Sequence, residues 1–153
     1  MKKKIVIGSL ITLGIIIVLW IISLSPPKFE TVSVIQNQPQ KQSADKVEVF
    51  LFHATQRCIT CITIGRLAGE TVNEYFQPEL RDGKIEFKEI NIDLPENREL
   101  AQKFQASGSS LFINAISNGK DNIVEDLNVW RLTQNEIQFK SYLKEKINNL
   151  LGK

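Results

Sequence analysis

Val47-Glu48-Val49-Phe50-Leu51-Phe52-His53-Ala54-Thr55-Gln56-Arg57-Cys58-Ile59-Thr60-Cys61 is the stretch on which the reading of this chain turns. Its first half alternates and then becomes solidly apolar, the pattern of a buried strand. The strand breaks at Thr55-Gln56-Arg57, and two cysteines follow with two residues between them. Beyond them Ile62, Ile64, Leu67, Ala68, Val72 and Tyr75 recur at helical spacing. Strand, short turn, Cys-x-x-Cys, helix: this order puts the first sulfur at or before a helix N-terminus. Unpaired backbone N–H groups and the positive end of the macrodipole there stabilise a thiolate. Such surroundings bring a cysteine from about 8.5 down to roughly 3.5–7.5, making it a nucleophile at neutral pH. The second sulfur, one turn further on, is placed to attack a mixed disulfide made by the first.

Cys58 and Cys61 are the only cysteines of the chain. A structural disulfide usually links distant segments, because closing long loops stabilises most; closing so small a ring gains little. A structural zinc site wants four ligands, and two cysteines with one histidine do not make one. Thiol–disulfide exchange, with Cys58 as nucleophile and Cys61 resolving, is therefore the leading reading. The alternative is a binding module in which Cys58, Cys61 and His53 hold a thiophilic ion such as Cu(I), or arsenite. A third reading keeps the fold without chemistry. His53, five residues before Cys58, is a proton carrier, a third ligand or a locally bonded strand end. No dinucleotide-binding glycine loop or phosphate loop occurs. Any reducing electrons are thus expected from a protein partner, which exchanges with the site through a thiol or disulfide, with no cofactor besides the Cys58–Cys61 disulfide.

Toward the N-terminus, a basic tip (1–4) precedes the uncharged run from Ile5 to Leu24. About 20 apolar residues span a bilayer, and the flanking lysines stay in the cytoplasm. A cleaved signal peptide is the competing reading. The run is long and β-branched, ends in Trp20-Ile21-Ile22 and has neither a small-x-small motif nor a cysteine for lipid attachment. It reads as a single-pass transmembrane anchor (5–24), and on either reading the rest of the chain lies outside the cytoplasm. Ser25-Pro26-Pro27 stops the helix. Residues 25–45, rich in Gln, Asn, Ser, Pro and Lys, read as a flexible tether; a short strand at Thr31–Ile35 is the minority reading. Before Lys46 stand five basic and two acidic residues, and from there on 14 basic and 15 acidic. The folded part therefore has no basic field for nucleic acid.

Toward the C-terminus the periodicity predicts a helix over about 58–76, then a turn at Pro78 and Arg81-Asp82-Gly83. Lys84–Ile92 alternates as a strand, with Ile85 and Phe87 inward and, after a phase change, Ile90 and Ile92. Asp93-Leu94-Pro95-Glu96 starts a helix running through Leu100, Ala101 and Phe104. Leu111–Ile116 is a strand, Asn118-Gly119-Lys120-Asp121 a hairpin turn and Asn122–Asp126 its return. Gln134–Leu151 is a terminal helix with Ile137, Tyr142 (or Leu143), Ile147 and Leu150 on one face. Trp130 reads as core. The fold class is α/β: a β-α-β-α-β-β-α domain over 46–153, its first three strands parallel through helical crossovers and its last pair antiparallel.

Cys58-x-x-Cys61 between first strand and helix, within this element order, resembles the thioredoxin superfamily. The resemblance covers Lys46 to the C-terminus and implies a three-layer fold with a central mixed sheet and a redox-active dithiol. The string Phe52–Cys61 is similar to a narrower group, the small thioredoxin-like ArsF family, described as nitrophenyl-compound nitroreductase subunits. A flavin of the kind a nitroreductase uses has no recognisable binding motif here. Arg57 stands where thioredoxins usually have Trp, and Ile59-Thr60 where they have Gly-Pro; a positive neighbour favours the Cys58 thiolate. Ser110 stands where the family has a cis-proline opposite the disulfide. A cis bond before a non-proline residue costs about 2.5–4 kcal/mol, so a trans, differently shaped loop is expected.

Overall fold

The computed structural model describes residues 43–153. The basic tip, the expected transmembrane anchor and most of the expected tether lie outside the described residues. Among the described residues no helix is long and apolar enough to cross a membrane.

β1 (Lys46–His53) leads through the Cys58 loop into α1 (Ile59–Tyr75) and a one-turn α2 (Gln77–Arg81). β2 (Ile85–Asn91), a 3-10 turn (Pro95–Asn97) and α3 (Arg98–Phe104) follow. The chain ends with β3 (Ser110–Ile116), β4 (Ile123–Glu125), the short α4 (Val129–Leu132) and α5 (Glu136–Leu151). The sheet order is β2-β1-β3-β4. β1 pairs parallel with β2, Val47 opposite Ile85, and antiparallel with β3, Phe52 opposite Ser110. The β-α-β-α-β-β-α order and the mixed sheet are those read from the sequence.

The direction of β3 is not. Three parallel strands were expected, and β3 runs against β1. The connection from β2 explains this. α3 has seven residues, about 10 Å of rise, whereas a seven-residue strand is about 23 Å long. A helix this short does not return the chain along the sheet, and β3 starts at the end where β2 stops.

Alternation along β1 feeds both faces of the sheet. Val47, Val49 and Leu51 join Leu67, Ala68, Val72, Leu143 and Ile147 in one core, beneath α1 and α5. Phe50 and Phe52 join Phe104, Phe112, Ile90 and Ala101 in the other, beneath α3. The phase change in β2 has the same cause. Ile85 belongs to the first core, with Phe87 packed against it, and Ile90 to the second. Because α3 is short it covers only one end of its face, which leaves Lys88 to solvent.

Two expectations for the C-terminal region are corrected. Ile137 is 80 % exposed, since it lies in the first turn of α5 off the packed face; Phe139, Leu143 and Ile147 are the buried residues. Trp130, on the unforeseen α4, is only partly buried at the core margin. At the other end, Ala44 N–H donates to the Leu150 carbonyl (2.7 Å) and Asp45 N–H to that of Ile116 (2.8 Å). The last residues of the expected tether are thus bonded to the folded body.

Candidate functional site: a disulfide at a helix start

β1 ends at His53 and the chain needs five residues to turn into α1. Cross-links from the β2 end hold this turn. Thr55 N–H donates to Asp93 Oδ2 (2.8 Å), and Asn91 Nδ2 donates to Thr55 Oγ1 (3.0 Å). The Thr55 amide, then its hydroxyl, holds the Asp93 carboxyl below the usual aspartate range.

Cys58 is the N-cap of α1, with extended backbone (φ −75°, ψ 160°). Its Sγ accepts the Cys61 N–H at 3.2 Å, the contact an N-cap Ser or Asp side chain would make. The two cysteines form a disulfide with Cα atoms 5.2 Å apart. Cys58 is exposed, while Cys61 is 6 % exposed. The sulfurs are therefore not equivalent: one is open to attack, and the other faces inward. No acidic side chain occupies the first turn of α1, so its N–H groups and dipole act unopposed on Cys58. Ile59, between the two, is 80 % exposed.

The remaining candidates take different places. His53 ends β1 half-buried, with Nδ1 2.9 Å from the Ala54 carbonyl. Among the described residues no group of three or more His, Cys, Asp and Glu is placed to hold a metal ion. Ser110 begins β3 opposite Phe52, and its hydroxyl donates to Glu125 Oε1 (2.6 Å). No peptide bond among the described residues is cis. Arg57 turns inward: Nη1 meets Glu89 Oε2 at 2.6 Å, and Nη2 lies 3.4 Å from the Cys61 carbonyl.

Glu89 and Gly65 are not singled out by the sequence, and Asp93 is read there only as part of a helix start. The spacing of Gly65 and Gly69 within an apolar helix was the available signal. A Cβ on Gly65 would fall 2.6 Å from Leu51 Cδ2, and one on Gly69 would fall 2.9 Å from Phe87 Cε1. The two glycines let α1 lie close against β1 and β2.

No protein-family model matches the chain, and no curated protein does. Solved structures similar to it include three thioredoxins. That of Fasciola hepatica is 21 % identical with a TM-score of 0.40, covering 63 % of this chain and 83 % of its own. The Malassezia sympodialis thioredoxin Mala s 13 is 23 % identical with a TM-score of 0.40, covering 66 % and 81 %. The Thermus thermophilus thioredoxin is 14 % identical with a TM-score of 0.42, covering 68 % and 76 %. Likeness this low bears neither on family nor on chemistry; the fold stands on the strand order and registers given above.

Proposed function

We propose that this chain is a thiol–disulfide oxidoreductase of thioredoxin-like fold, held outside the cytoplasm by an N-terminal membrane anchor and acting on protein thiols or disulfides. One observation carries the chemistry: an exposed Cys58 at the cap of α1, bonded to a Cys61 that is nearly buried. A partner thiolate attacks Cys58 Sγ, the Cys58–Cys61 bond breaks, and Cys61 leaves as a thiolate that takes up a proton. The mixed disulfide at Cys58 is then attacked by a second partner thiolate. That releases the partner as a disulfide and leaves Cys58 as a thiolate, favoured by the Cys61 amide and the start of α1. Run backwards, the same steps reduce a partner disulfide with Cys61 as the resolving thiol. The reduction potential against that of the compartment sets the direction. The redox group is the disulfide itself, with no further cofactor.

The anchor and the kinship with the ArsF family belong to the same proposal. They rest on the Ile5–Leu24 run and on the Phe52–Cys61 string. The test is Cys61→Ser expressed in the native compartment. It is expected to accumulate mixed disulfides through Cys58, absent from Cys58→Ser, on non-reducing gels of the membrane fraction. No trapped partner under either oxidising or reducing poise refutes the exchange; trapped partners only in the cytosolic fraction refute the anchor.

A further inference from the structure

Arg57 immediately precedes the exposed sulfur, yet its side chain, 20 % exposed, folds back against the protein. Nη1 donates to Glu89 Oε2 at 2.6 Å, and Nη2 lies 3.4 Å from the Cys61 carbonyl. Nε is buried with no hydrogen-bond partner among the described residues. Gly65 provides the space: a Cβ there would fall 2.8 Å from Arg57 Nη2 and 2.8 Å from Glu89 Oε1. A loop, a strand and a helix are thus shaped around one guanidinium. Partial desolvation of that cation, with one N–H left unmatched, is a cost. A pin whose only task was to hold loop to strand would do as well with apolar side chains.

We infer that Glu89 is a positioning residue which holds the Arg57 guanidinium against the first turn of α1 and offsets its charge, so that the pair sets the redox balance of Cys58–Cys61. This deepens the function proposed above and rests on it. The oxidised pair is uncharged. Two glutathione molecules reduce it to a Cys58 thiolate and a Cys61 thiol, giving oxidised glutathione and one free proton; two electrons enter the protein. The new negative charge arises on the residue next to Arg57, whose attraction Glu89 partly cancels. Removing the carboxylate charge leaves the guanidinium uncompensated and favours the dithiol form. Removing the guanidinium leaves a lone carboxylate and favours the disulfide. A unit charge about 10 Å away at an effective dielectric of about 20–40 shifts the equilibrium about fourfold to sixteenfold, or about 18–36 mV for a two-electron couple.

The experiment equilibrates the wild type, Glu89→Gln, Arg57→Gln and the double variant in glutathione redox buffers at neutral pH. Thiol alkylation reads the oxidised fraction, and a urea midpoint on each protein verifies folding. Glu89→Gln is expected to shift toward the dithiol and Arg57→Gln toward the disulfide, with the double variant near the wild type. Arg57→Lys, which keeps the charge but not the planar fork, is expected to stay within about twofold of the wild type. A pair that only braces the loop would shift both single variants in the same direction or neither; either result overturns the inference. If Glu89→Gln does not fold, Arg57→Gln against Arg57→Lys decides alone, and equal potentials overturn it. A wild-type disulfide that never equilibrates with glutathione brings down the underlying function as well, whereas normal exchange without the opposed shifts brings down only this inference.

Discussion

Cys58 shows how much a backbone conformation can ask of one side chain. An N-cap residue normally offers an oxygen to the orphan amides of the first turn, and here a sulfur takes that place. The same contact supports a thiolate once the disulfide opens, so reduced protein treated with limiting iodoacetamide is expected to be alkylated at Cys58 well before the nearly buried Cys61; peptide mass mapping gives the order. The loop that presents this sulfur depends on Asp93. Its carboxyl is held below the usual range by the Thr55 amide and hydroxyl. The folded form therefore binds this proton less tightly than the unfolded one. The contact contributes fully above the unfolded value, near 4, and is lost as pH falls through the lower folded value. Urea midpoints measured from pH 6 down to pH 3 are expected to fall less steeply for Asp93→Asn than for the wild type. Identical slopes would show that the loop does not depend on this carboxylate.

At the scale of elements, the contact of α1 with the sheet is the decisive packing. Gly65→Ala would place a methyl against Leu51, Arg57 and Glu89 at once, and overpacking of this kind costs about 1–3 kcal/mol. Gly69→Ala meets only the outer edge of the Phe87 ring, a side chain that is partly buried at the core margin. There the gain in helix propensity, up to about 1 kcal/mol, offsets much of the clash. Denaturant unfolding of the two variants should thus rank Gly65→Ala clearly below Gly69→Ala. Elements with one strong period were legible in the sequence: β1, the long α1 and the hairpin turn at Asn118-Gly119, both of whose residues have positive φ. What escaped depended on lengths and on partners distant in sequence. The direction of β3 follows from the shortness of α3. The site residue Glu89 looked like one polar position of an alternating strand until α1 was laid over it. Ile137 is an apolar residue near the α5 stripe in sequence, but it stands two residues, about 200° around the helix, from buried Phe139 and so faces away from the core.

For the molecule as a whole, the sheet separates entry from chemistry. The described chain enters β1 at Lys46 and leaves it eight residues later, about 26 Å further on, at the end where Cys58 is presented. The layers must stay together for that geometry to hold, and Asp126 ties β4 and the turn after it to α5. It is 1 % exposed and accepts from the Tyr142 hydroxyl (2.9 Å), Lys146 Nζ (2.8 Å) and the Asn128 amide (3.1 Å). Burial works against the Lys146 ammonium, yet the Asp126 carboxylate and Tyr142 outweigh it and leave its pKa raised. The partners are unequal in what their loss leaves behind. Without Lys146 a fully buried carboxylate keeps two neutral donors but no counter-charge. Without Asp126 the ammonium, on a side chain 29 % exposed, can still turn to water. Lys146→Met is therefore expected to cost about 3–5 kcal/mol, since it leaves a buried charge unpaired, and Asp126→Ala about 1–3 kcal/mol for the hydrogen bonds lost; urea unfolding followed by circular dichroism measures both. Equal losses would mean that the ion pair as a unit, rather than the compensation of one buried carboxylate, holds α5 against the sheet.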